Sequence, residues 1–179
     1  MLTAKSLICI SMILAFAMSL QDRDKIAFKM SGSHDNAPDQ YLNGNTIDGS
    51  VSLAKNTDFA TSSGTWWRAH FLSDGSWAFE NLGNISYNRH IYLNGNTETG
   101  AVNLIESTEY SNWKTSGTHW GVEHLADGTI ALEYLGGIPV SMFTFLGVDT
   151  NTGAVKMAGS NTHWEIVTLV PAASSAPPV

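Results

Sequence analysis

An all-β domain built from three copies of one four-stranded unit is what the sequence predicts, on three observations. One block of sequence recurs three times along the 179 residues. Apolar and polar residues alternate over short runs that end in glycine or Asp-Gly, the period-2 signature of strands closed by turns. Beyond the N-terminal apolar run, no long stretch keeps a helical period.

The repeat sets the order of elements. Tyr41-Leu42-Asn43-Gly44-Asn45-Thr46 returns as Tyr92-Leu93-Asn94-Gly95-Asn96-Thr97, and more loosely as Phe145-Leu146-Gly147-Val148-Asp149-Thr150. A glycine follows each copy (Gly49, Gly100, Gly153), then an alternating apolar pair: Val51 and Leu53, Val102 and Leu104, Val155 and Met157. Each unit then reaches a tryptophan: Trp67, Trp120, Trp164. Beyond it, Leu72-Ser73-Asp74-Gly75 matches Leu125-Ala126-Asp127-Gly128, and Trp77 to Gly83 matches Ile130 to Gly136. The third copy of that last strand is Ile26 to Gly32, at the start of the chain, so the first and last strands are expected side by side.

Strands are predicted near 26–30, 40–43, 51–54 and 65–71 in unit one, and near 77–82, 91–94, 101–105 and 118–125 in unit two. Unit three has them near 130–135, 143–147, 154–157 and 162–169. Asp74-Gly75 and Asp127-Gly128 predict hairpins with type I′ turns. Twelve short strands favour closure, which removes exposed edges. A propeller would need at least about four blades, so the expectation is a β-trefoil, pseudo-threefold, with the three tryptophans in its core.

The N-terminus reads differently. Lys5, the apolar run Ser6 to Ala17 and the small-x-small sites Ala15-Phe16-Ala17 and Ala17-Met18-Ser19 make residues 1–19 a secretory signal peptide. The run is shorter than the ~20 apolar residues of a membrane span, so no span is expected in the mature chain, which would be extracellular. Residues 20–170 form the trefoil, and 171–179, rich in Pro, Ala and Ser, a disordered tail. The single cysteine, Cys9, lies in the signal segment. A mature chain without thiols excludes a cysteine nucleophile, a thiolate metal site and disulfides.

Charged residues make up only 14%, against roughly 25% in ordinary soluble proteins. Asn, Ser, Thr and Gly supply the polar surface instead, which suits neutral, hydroxyl-rich ligands. The net charge of −7 repels phosphate backbones and argues against nucleic acid. His119 and His124 fall on opposite faces of one strand and no His-x-x-x-His occurs, so neither a metal nor a cofactor is expected. Glu80 and Glu133 occupy equivalent places in different units; they read as solvated strand residues and not as the paired carboxylates of a glycosidase. No Ser-His-Asp arrangement stands out, and the chain is read as non-enzymatic.

The Leu-x, Gly, Val-x-Leu and x-x-Trp positions, with Asp-Gly hairpins after Trp67 and Trp120, resemble the ricin-B-like (R-type lectin) β-trefoil superfamily over about residues 24–169. Where that family has Gln before x-Trp, this chain has Thr65, Thr118 and Thr162. Where it has its sugar-binding Asp after Leu, this chain has Asn43, Asn94 and Gly147. The resemblance implies a secreted binding module for a carbohydrate. The alternative is a trefoil that binds a protein, such as a protease inhibitor, through loops 55–62 or 106–115.

Candidate carbohydrate contacts follow from side-chain chemistry. Asn43, Asn45, Asn94 and Asn96 offer amides that can both donate and accept, although Asn-Gly is also a turn former. Trp66 and His119, with His163, precede the core tryptophans and by alternation should face outward as stacking surfaces. Tyr110 and Trp113 are aromatics in the longest polar loop, and Tyr87 and His90 lie in the link within unit two. Asn84-Ile85-Ser86 is a glycosylation sequon if the source is eukaryotic. Units one and two, which keep Leu-Asn-Gly-Asn-Thr, are the expected sugar-binding units, and unit two is the first choice.

One prediction follows from the N-terminal segment. The mature chain should begin between residues 18 and 22. N-terminal sequencing of secreted protein checks this, and an intact Met1 in that fraction contradicts it.

Overall fold

In the computed structural model, residues 20–31, 40–83, 90–106, 116–135, 143–149, 151–160 and 162–169 are described. They form an all-β, antiparallel structure. In unit one, β1 (Lys25–Met30), β2 (Tyr41–Gly44), β3 (Val51–Ala54) and β4 (Trp67–Phe71) follow in order. Unit two holds β5 (Trp77–Asn81), β6 (Tyr92–Asn96), β7 (Val102–Ile105), the two-residue β8 (Ser116–Gly117) and β9 (Trp120–His124). Unit three holds β10 (Ile130–Tyr134), β11 (Phe145–Val148), β12 (Val155–Ala158) and β13 (Trp164–Thr168).

Six strands pair in a closed ring. β1 joins β4, β4 joins β5, β5 joins β9, β9 joins β10, β10 joins β13, and β13 returns to β1 with Met30 opposite Trp164. The other strands form hairpins β2–β3, β6–β7 and β11–β12, attached to β1, β5 and β10. The first and last strands are therefore neighbours, as the position of the Ile26 copy implies.

The ring encloses the core. Trp67, Trp120 and Trp164 are all fully buried, with Phe28, Phe79 and Leu132 among them. A buried indole N–H must find an acceptor. Each finds a hairpin carbonyl: Trp67 donates to Leu42 at 3.0 Å, Trp120 to Leu93 at 3.0 Å and Trp164 to Leu146 at 3.4 Å. Those three leucines are themselves buried, so one residue per unit ties ring to hairpin twice, by area and by hydrogen bond.

The turns explain the glycines. In each hairpin the N–H of the glycine closes back on Asn45, Asn96 or Asp149, and Gly49, Gly100 and Gly153 take φ of 76°, 75° and 72°. The Asp-Gly turns are not type I′. Only their glycines have positive φ, 86° at both Gly75 and Gly128. Gly75 N–H donates to Leu72 and Leu72 N–H to Ser76, which is a type I turn followed by a left-handed glycine. The reason is the aspartate: Asp74 Oδ1 accepts from the N–H and hydroxyl of Ser76, and Asp127 does the same for Thr129. Loop 55–62 carries a further difference, the short helix α1 (Phe59–Ser62), capped by Asp58 Oδ1 on the N–H of Ala60 and followed by a 3-10 turn, Ser63–Thr65.

Replacing Trp120 by Ala should lower stability by ~3–5 kcal/mol in urea unfolding, since it empties a packed site and strands the Leu93 carbonyl. Trp120→Phe should cost less, because only the donor and part of the ring are lost.

Candidate functional site

The sequence-predicted residues fall into different environments. Asn43 is half-buried, and its amide nitrogen lies 3.3 Å from Ser52 Oγ. Asn94, its counterpart, is 2% exposed, and its amide donates to Asn103 Oδ1 at 2.7 Å. A side chain so enclosed offers no face to a ligand, so the equivalence in sequence is not one of surface. Asn45 and Asn96 work as turn caps. Asn45 Oδ1 accepts from Ile47 N–H, and Asn96 Oδ1 from the N–H groups of Glu98 and Thr99. Asp149 repeats this on Asn151 and Thr152. Tyr110, Trp113, Tyr87 and Asn84 lie outside the described residues.

The residues before the core tryptophans do not simply face outward. Trp66 is half-buried: its Nε1–H donates to the Thr57 carbonyl at 2.7 Å and its ring meets Phe59 edge-on at 5.0 Å. It therefore pins α1 in place. His119 is 7% exposed, because the turn before β5 folds over it and Nδ1 lies 2.8 Å from Asp74 Oδ2 and 2.9 Å from Ser76 Oγ. Ser76, His119 and Asp74 thus meet in space. A catalytic triad needs serine and aspartate on opposite ring nitrogens; here both contact Nδ1, and Ser76 is buried. His163 makes the same contact with Asp127 at 2.8 Å, beside Thr129. This is a clamp in which each aspartate caps its own turn and holds the histidine of the unit that follows.

Glu80 is not solvated. It is half-buried, opposite Arg68 in the ladder, and Oε2 lies 2.9 Å from Arg68 Nη1 and 2.8 Å from His70 Nε2. Glu133 stands opposite Gly121, which supplies no cation. Among the described residues no group of three metal-ligating side chains occurs, and no helix is long and apolar enough to cross a membrane.

Unit one contains a small polar pocket of about 230 Å³. Gly44, Gly64 and Gly83 form its floor, Asn43, Asn45, Thr46 and Ile47 one wall, and Thr61, Ser62 and Ser63 the other. Asn81 is the pivot beneath it. Fully buried, it donates Nδ2–H to the Gly64 carbonyl at 2.6 Å and accepts Gly83 N–H at 2.9 Å. The glycines are required by these approaches: a Cβ at Gly44 would lie 2.8 Å from the Asn81 amide and one at Gly83 3.1 Å from Gly64 Cα. Sequence reading passed over Asn81. The signal was an amide at the repeat position where β1 and β10 carry Met30 and Tyr134.

No family model matches the chain, and no curated protein does. The solved complex of lysenin with phosphocholine is similar in fold. The TM-score is 0.53 at 15% identity, over 83% of this chain and 46% of that one. This chain therefore spans less than half of the lysenin chain, and the likeness is one of fold.

The Asp127 clamp carries a pH dependence. Hydrogen bonds from the Thr129 hydroxyl and N–H, then from His163, hold the Asp127 carboxyl down at about 2. An unfolded aspartate titrates near ~3.9. The stabilisation is therefore complete above ~4 and disappears as pH falls through about 2. Thermal melts of the parent and Asp127→Asn should differ most at neutral pH and converge on acidification; a constant gap would contradict the clamp.

Proposed function

We propose that this chain is a secreted, non-enzymatic β-trefoil of the R-type lectin kind that binds a carbohydrate in the unit-one pocket. The observation that carries the reading is the lining of that pocket. An amide at Asn43, hydroxyls at Thr61, Ser62 and Ser63 and the backbone around three glycines crowd neutral donors and acceptors into a space without a charged wall. Hydroxyl groups, which both donate and accept, fit such a set. At about 230 Å³ it lies below the ~300–1,000 Å³ of pockets for drug-sized ligands, which suits a single sugar ring.

The closed ring of six strands with three hairpins supports the trefoil assignment, as does the thrice-repeated tryptophan-to-leucine bond. That lysenin was solved with phosphocholine supports a small polar ligand for a fold of this kind. The residues quoted for the R-type resemblance support the lectin reading, with the first-choice site moved from unit two to unit one because Asn94 is enclosed. A protein partner is the second reading, favoured by Phe59 and Ile47, which stand 50% and 71% exposed on the helix and hairpin beside the pocket.

A glycan array on the full chain, followed by calorimetric titration of the best glycan, tests the proposal. Asn43→Ala and Ser62→Ala should each weaken binding by about tenfold, the worth of a buried hydrogen bond. Binding unchanged in both variants would remove the site, and no glycan bound by the parent would give the case to the protein-partner reading.

A further inference from the structure

The junctions between successive hairpins are built on one plan but differ in how they are filled. At the first, the tip of β2–β3 meets β6–β7: Gly49 C=O accepts from Leu104 N–H at 2.7 Å and Ser50 bridges Asn103. His90, just before β6, closes the space above. A Cβ at Gly49 would lie 3.4 Å from its ring and 3.1 Å from the Leu104 carbonyl. At the second, the tip of β6–β7 meets β11–β12, and Gly100 C=O accepts from Met157 N–H at 2.9 Å. The backbone contact is kept, but among the described residues a Cβ at Gly100 would meet nothing nearer than the Met157 carbonyl at 4.0 Å. Phe143, the counterpart of His90, stands 41% exposed. The result is a cleft of about 710 Å³, within the usual range for small-molecule sites.

The chemistry of that cleft is specific. Val148 and Met157, both nearly buried, give it apolar lining, and Phe143 lines it as a half-exposed aromatic ring. At its polar end Lys156 Nζ lies 2.7 Å from Asp149 Oδ2. Asp149 is fixed by the turn that it caps, and the bond from Lys156 holds its carboxyl below the usual range. An ammonium has three donors, and this contact takes one. The pair therefore presents a donor and an acceptor side by side with no net charge. A charged ligand would face the like charge of one partner. A neutral vicinal diol donates to the carboxylate and accepts from the ammonium.

We infer that the junction between units two and three is a second binding site, separate from the unit-one pocket, for a neutral polyhydroxylated ring. The C–H face of the ring lies against Phe143 and its adjacent hydroxyls engage Asp149 and Lys156. The contacts come from unit three, and the hairpin tip of unit two walls the site with Thr99, Gly100 and Ala101. The site rests on the proposed function for its ligand class alone, and none of its residues belongs to the unit-one pocket.

The test is an amide NMR titration of the ¹⁵N-labelled chain with glucose, galactose, mannose and myo-inositol in turn. The expected result is a saturable shift at Gly100, Lys156 and Gly159 with at least one of these probes. Lys156→Met should weaken it about tenfold or more, the worth of a hydrogen bond to a charged group, while Asn43→Ala leaves it unchanged. Phe143→Ala gives the same reading without touching the ion pair and covers the case in which Lys156→Met folds poorly. Shifts confined to Gly44, Gly64 and Gly83 overturn this inference and leave the proposed function standing. Shifts at Gly100 that neither variant weakens overturn the assigned chemistry, and no shift with any probe at either place overturns the second site.

Discussion

A buried indole must be given an acceptor, and that constraint organises this molecule. Each core tryptophan sits on a ring strand, and its N–H reaches the carbonyl of a leucine on the attached hairpin. Area burial alone would let the hairpin slide over the core. The hydrogen bond fixes its register, because moving the leucine by one residue turns its carbonyl away and leaves an unsatisfied donor, at a cost of about 1–3 kcal/mol. With the tryptophan fixed, the segment just before it is drawn beside the start of the hairpin. Thr65 hydroxyl then closes on Ser62 C=O, and Thr162 hydroxyl accepts from Val148 N–H. The crevices of the fold form beside these two segments.

Equal frames do not give equal crevices, because a few positions inside them vary. Met30, Asn81 and Tyr134 occupy the same place on β1, β5 and β10. Asn81 draws Gly64 and Gly83 together under the unit-one pocket, whereas Tyr134 packs edge-on against Trp120 and lies beside Gly117. On the hairpins, Gly44, Gly95 and Val148 correspond. A Cβ at Gly95 would lie 2.6 Å from Met157 Sδ and 2.9 Å from Trp120, so unit two spends its glycine on close packing. Unit one spends Gly44 on the floor of a pocket. Unit three carries a valine there, and Val148 lines the cleft that opens beside Phe143.

The aspartate–histidine clamps do for the ring what the tryptophans do for the hairpins. Asp74 and Asp127 each cap a turn with one oxygen and with the other hold the histidine just before β9 or β13. This ties β4–β5 to β9 and β9–β10 to β13, so neighbouring units are fastened by side chains as well as by strand pairing. Ser76 and Thr129 take equivalent places in the two clamps, each bonding the aspartate oxygen that caps the turn.

Much of the fold was legible in the sequence. Period-2 alternation placed the strands, recurrence placed the tryptophans in the core, and glycines marked the turns that need φ > 0, because each of these depends on residues close in the chain. The Asp-Gly turn type was misjudged, because the side chain of the aspartate, and not only the glycine, selects the backbone. The site was legible only in part. Asn43 and Asn45 were named and do line a pocket, but nothing local distinguishes Asn43 from the enclosed Asn94, or a half-exposed His163 from a buried His119. Alternation decides which face of a strand a residue occupies. Whether that face meets solvent is decided by which loop of another unit lies over it, and that is settled only when distant segments pack.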